Sequence, residues 1–104
     1  MNINEMNHAV RKALESLGWT ADDVASVLNE EGCKGIRNKP ASCPVSIYLT
    51  RRLPGYQAEF NGFFVAIARS GTTAAVTAVV PHRSVNIFAR RFDTGHYPTL
   101  EKRT

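Results

Sequence analysis

The hydrophobic residues of this chain change period twice. Up to Leu53 they recur three to four residues apart, as on one face of a helix; from Phe60 to Val80 they gather in runs of β-formers; from Ser84 the helical spacing returns. Strands that follow one another directly, with helices before and after, pack as an antiparallel unit against helices, and do not alternate as βαβ crossovers. A chain of 104 residues closes a single hydrophobic core. The expected fold is therefore α+β, one domain over 1–104: three N-terminal helices, a β-hairpin and a C-terminal helix around one core.

The helix boundaries follow from caps. Met6, Val10, Leu14 and Leu17 give a first helix over Glu5 to Leu17, which Gly18 terminates. Thr20 offers a capping hydroxyl, Asp23 is the acidic member of a capping-box-like pair, and Trp19 with Val24 fills the two positions of a hydrophobic staple. A second helix runs from Ala21 to about Glu31 and stops at Gly32. Ser42 or Cys43 caps a third, with Pro44 in its first turn, where a missing N–H costs nothing. Its apolar face is Val45, Tyr48, Leu49 and Leu53, and Pro54-Gly55 ends it. The last helix spans about Ser84 to Thr94, with Val85, Phe88 and Phe92 inward. The tail from His96 to Thr104 reads as irregular.

Between these helices, Phe60 and Phe63 to Ile67 form one strand, Ser70-Gly71-Thr72 a turn, and Ala74 to Val80 a second strand. In the second, Ala74, Val76, Ala78 and Val80 share one face, with Ala75, Thr77 and Val79 on the other. Its alanines suit close approach of a helix.

Charge is divided sharply along the chain. Residues 1–31 hold six acids against Arg11 and Lys12, a net −4; residues 32–104 hold eleven Lys or Arg against Glu59, Asp93 and Glu101, a net +8. Such asymmetry attracts polyanions or acidic protein surfaces. It equally lets the two halves attract one another within the fold. From Gly32 to Ala58 there are five cations, no acid, and Tyr48 and Tyr56 interleaved, a composition suited to phosphate contacts or to a solvated loop.

Catalytic signatures are missing: no phosphate-binding glycine loop, no Gly-x-Ser-x-Gly, no His-Glu-x-x-His and no Cys-x-x-Cys. We expect no enzyme and no cofactor. Cys33, Cys43, His82 and His96 are zinc-type ligands, but their spacing fits no standard knuckle, and two cysteines read as reduced thiols packed as small hydrophobes. The stretch Met1 to Val10 lacks the basic start and apolar run of a signal peptide, and the most apolar segment is strand-length, so the expected location is cytoplasmic with no membrane partner.

Two resemblances add to this. Val24-Ala25-Ser26-Val27-Leu28-Asn29-Glu30-Glu31-Gly32, continuing through Arg37 to Ser42 and Val45, resembles the helix-turn-helix of resolvases and large serine recombinases, a helix ending in Leu-Asn-x-x-Gly before a basic loop and a Ser-initiated recognition helix. The resemblance implies that Arg37, Lys39 and Ser46 face DNA. Cys43-Pro44-Val45-Ser46-Ile47-Tyr48-Leu49, with Phe92-Asp93-Thr94-Gly95-His96-Tyr97-Pro98, is similar to small uncharacterised proteins of actinobacteria and their phages. That likeness implies a source and no activity.

The function expected from sequence is non-enzymatic binding: regulatory DNA binding through Lys34, Arg37, Lys39, Ser46, Arg51 and Arg52. The alternative is a protein-binding adaptor or inhibitor of phage or mobile-element origin, which an exposed apolar patch or an open sheet edge would favour. Self-association as a homodimer fits a chain of this size.

Overall fold

The first helix begins where Asn2 caps it. In the computed structural model, which describes residues 2–102, the Asn2 side chain accepts the Glu5 N–H at 2.8 Å and α1 runs Ile3–Glu15. The expected start at Glu5 is late because Asn2 serves as the cap. Met6, Val10, Ala13 and Leu14 form its buried stripe. Thr20 Oγ1 accepts the Asp23 N–H at 3.0 Å and opens α2, Ala21–Glu30. Pro44 begins α3, Pro44–Arg52, and α4 is Arg83–Asp93. Phe88 and Phe92 of α4 are fully buried, their ring centroids 6.0 Å apart, and Tyr97 stacks on Phe88 at 5.2 Å. Truncating either phenylalanine to Ala would cost about 3–5 kcal/mol.

Among the described residues the strands number three, which corrects the expected hairpin. β1 (Tyr56–Phe60), β2 (Val65–Arg69) and β3 (Ala75–Val79) form an antiparallel sheet in the order β1-β2-β3, giving an α+β fold. The first β-rich run is cut in two at Asn61-Gly62. Gly62 takes φ 94°, open to glycine at little cost, and Asn61 Oδ1 accepts the N–H groups of Phe63 and Phe64, both at 2.9 Å. Phe60 pairs with Val65 and Val65 with Val79, placing all three on the inward face with Ala58 and Ile67. There α1 packs under β3 and α3 under β1, while α2 packs on α4.

The alanines do not serve helix packing as expected. The register shifts between Ile67 and Ala68, and Ala66, Ala68, Ala75 and Ala78 share the outer face with Gln57 and Glu59. No helix covers that face among the described residues. The tail is also more regular than expected. Pro98–Leu100 forms a 3-10 turn, Leu100 is fully buried, and Gly35 donates to the Leu100 carbonyl at 2.8 Å while its own carbonyl accepts Lys102 N–H at 2.7 Å. The remainder of that tail reading, Arg103 and Thr104, lies outside the described residues, as does Met1. The buried side chains make one contiguous core drawn from all four helices and all three strands.

Candidate functional site

Ser46, expected to face DNA, is fully buried and is the clearest correction. Its hydroxyl donates to the Pro40 carbonyl at 2.5 Å and accepts the Phe60 N–H at 3.0 Å. The reason lies in α3 itself: Pro44, Val45, Ser46, Tyr48 and Leu49 are buried, Ile47 and Thr50 half-buried, and only Arg51 and Arg52 are exposed. A recognition helix must present a continuous face to the major groove. This helix spends that face on β1.

The cations of the acid-free segment are mostly engaged by the fold. Arg51 Nη1 donates to the Glu31 carbonyl at 2.9 Å and lies 3.5 Å from Cys33 Sγ. Arg52 pairs with Glu31 Oε1 at 3.0 Å and stacks over the Tyr48 ring, 4.1 Å from its centroid. Arg37 Nε meets Glu101 Oε1 at 3.1 Å and the guanidinium lies over Gly95. Lys34 and Lys39 are exposed, with no side-chain partner among the described residues. Two of the three ion pairs among the described residues, Arg52–Glu31 and Arg91–Asp22, join the acidic N-terminal segment to the basic remainder. Exposed pairs of this kind each contribute about 0–1 kcal/mol, so they orient the halves more than they stabilise them.

Burial holds both thiols in the protonated form. Burial pushes Cys43 up from its ordinary 9.0 to about 12, against the opposing effect of the Val45 and Ser46 N–H groups at the start of α3. Cys33 is raised as well, by burial first, with Arg51 acting in the opposite sense. No group of three or more His, Cys, Asp or Glu side chains gathers in metal-binding geometry among the described residues. Among the described residues no helix is long and apolar enough to cross a membrane.

A different surface emerges at the end of the sheet where the β1–β2 turn lies. Phe63 is 76% exposed, Val80 72%, Trp19 67% and Phe64 42%. Val65 pairs with Val79, so the next residues outward, Phe64 and Val80, stand side by side. Val80 in turn lines a groove of about 260 Å³ with Trp19 and His82. These apolar side chains sit on loops that α4 fixes from its first turns. His82 Nε2 bonds the Gly18 carbonyl at 2.7 Å, which requires the proton on that nitrogen, and its ring lies 4.6 Å from Trp19. Ser84 donates to the Trp19 carbonyl. Asn86 Nδ2 donates to the Gly62 carbonyl at 2.7 Å and the Phe63 carbonyl at 3.3 Å. Three alternate residues thus pin both loops.

The sequence predicts a strand for Phe63 and Phe64 and a staple of Trp19 against Val24. Val24 is fully buried, but the indole stays at the surface against His82. The signal that could have exposed the phenylalanines was the Asn61-Gly62 dipeptide, the strongest short-range hairpin cue.

Compared with known protein families, curated proteins and solved structures, the chain matches none of them.

Proposed function

We propose that the chain is a non-enzymatic protein-binding domain that contacts its partner through the apolar end formed by Trp19, Phe63, Phe64 and Val80. The observation that carries this reading is that exposed Phe64 stands beside exposed Val80, which shares a groove with exposed Trp19, while Phe63 next to Phe64 is exposed as well, all on segments held by His82, Ser84 and Asn86. Aromatic residues presented on a rigid frame are the usual anchors of protein interfaces, because they add apolar area at low cost in side-chain entropy. Aromatic side chains left in water without a partner gain nothing for the fold, and contiguous exposed apolar groups mark contact sites.

A nucleic-acid reading retains support from Lys34 and Lys39, which project from a loop rich in cations. It has lost Ser46, and Arg51 and Arg52 are committed to Glu31. The two readings separate in one experiment. Immobilised chain is used to capture a stoichiometric protein partner, alongside duplex DNA titrations at low and high salt, with a Trp19→Ala/Phe63→Ala double variant and a Lys34→Glu/Lys39→Glu double variant. Partner capture lost in the aromatic variant alone supports the protein reading. Salt-sensitive DNA binding lost in the lysine variant alone overturns it.

A further inference from the structure

The two edges of the sheet end in opposite ways. Along β1 the outward N–H groups of Tyr56, Ala58 and Phe60 donate to the Leu53 carbonyl at 2.9 Å, Thr50 Oγ1 at 3.0 Å and Ser46 Oγ at 3.0 Å. That edge is sealed by α3 and its C-terminal residue. The same alternation fixes the other edge. Gln57 and Glu59 bond to β2, so Val65 and Ile67 turn toward β3 and bond with their register partners Val79 and Thr77. The N–H and C=O of Ala78 then point away from the sheet, and no hydrogen bond reaches them or those of Val80 among the described residues.

This open edge lacks charge and, within β3, proline. No Lys, Arg, Asp or Glu occurs from Gly71 to Val80, and Val76 and Val80 leave apolar surface exposed along it. The register irregularity lies at its beginning, which leaves Thr77 to Val79 regularly paired with β2.

We infer that a second copy of the chain occupies this edge, its β3 antiparallel to the first, so that two three-stranded sheets join into one. Three features select a second copy. Strand pairing is satisfied by an identical neutral strand, and the sealed β1 edge stops the assembly at two, as a closed two-fold interface requires. The apolar residues that flank the edge, Val76 at one end and Val80 at the other, each gain an apolar neighbour. The charges raise no barrier. At the Val76 end the adjoining groove, about 600 Å³, is lined by Ile3, Met6, Tyr56 and Arg69 and holds no acid, whereas the groove at the Val80 end is lined by Arg11 and Glu15 together, a balanced pair. Antiparallel pairing sets these unlike ends together, so Arg69 of each copy meets no net like charge on the other. Val80 belongs to both surfaces, but Phe63 and Phe64 lie at the β1–β2 turn and not on the β3 edge, so this inference does not depend on the protein-binding reading.

The test is sedimentation equilibrium of the full chain from micromolar to millimolar concentration. A reversible monomer–dimer equilibrium is expected, because a single strand edge is a small interface. Val76→Lys puts a charge on the edge and should weaken the dimer at least about tenfold. Ala78→Pro removes an N–H that bonds nothing within the chain and should have the same effect; the lysine variant decides if the proline variant fails to fold. Phe63→Ala should leave the dimer unchanged. A wild-type chain that stays monomeric at the highest concentration overturns the inference, as does a dimer indifferent to Val76→Lys. A monomer that instead pairs an added extended peptide at this edge overturns it equally, giving the edge to another protein.

Discussion

The hydroxyl of Ser46 accepts the backbone N–H of Phe60 at 3.0 Å, joining the first turn of α3 to the last residue of β1. It also donates to the Pro40 carbonyl, so one buried side-chain oxygen serves two backbone groups. Both groups are removed from water, and losing the bridge leaves each without its partner. Ser46→Ala should therefore destabilise the fold by about 1–3 kcal/mol. Urea unfolding with an unchanged slope would establish this. A value near zero would mean that water enters and replaces the hydroxyl.

Gly35 is required by proximity, since a Cβ placed there would stand 2.1 Å from the Ser42 carbonyl oxygen and 2.7 Å from Pro44 Cδ. Its backbone is held on both sides by Leu100 and Lys102, so the loop cannot simply retreat. Gly35→Ala should cost about 3 kcal/mol, at the upper end of overpacking penalties. The C-terminal turn should loosen with it, seen as faster amide exchange at Lys102. A variant as stable as the parent would show that the loop and tail shift together without loss.

How far the sequence anticipated this arrangement depends on whether the signal was local. The four helices were legible because their apolar periods and caps lie within them: Thr20 bonds Asp23, and Pro44 opens α3. β1 was not legible, because Tyr56 to Phe60 has a mixed sequence stabilised by α3 hydroxyls that lie elsewhere in the chain. Leu100 gave no periodic signal, yet it is fully buried under a strand-like contact with Gly35. The basic segment was visible as composition. Its pairing with Glu31 and Glu101 was not, since both are tertiary contacts.

Cys43 makes stability fall in alkali. Its thiol ionises near 9.0 when unfolded but only at about 12 in the fold, where burial opposes the charge. A folded pKa raised above the unfolded value gives stability that is complete below pH 9 and lost progressively as pH rises from 9 toward 12. Cys33 and Tyr97 are also shifted upward, with burial as the leading cause, and act in the same sense. Denaturation midpoints measured across this range should decline for the parent chain and decline less steeply for Cys43→Ala. Equal slopes would assign the alkaline loss to the other groups.

Asn86 offers a way to separate the shape of the apolar end from its composition. The side chain bonds the Gly62 and Phe63 carbonyls from α4, and Phe63 itself is largely in solvent. Asn86→Ala removes those bonds without altering any apolar residue. The lost stability should be small, about 1 kcal/mol, because the freed carbonyls lie near water. The turn at 61–64 should then exchange its amides faster, and a partner that needs Phe63 in place must order it on binding. Affinity should fall several-fold while the aromatic residues remain present, which calorimetry with the captured partner would measure. An affinity equal to that of the parent would show that the partner holds the turn without help from α4, and that the end surface acts through its apolar area alone.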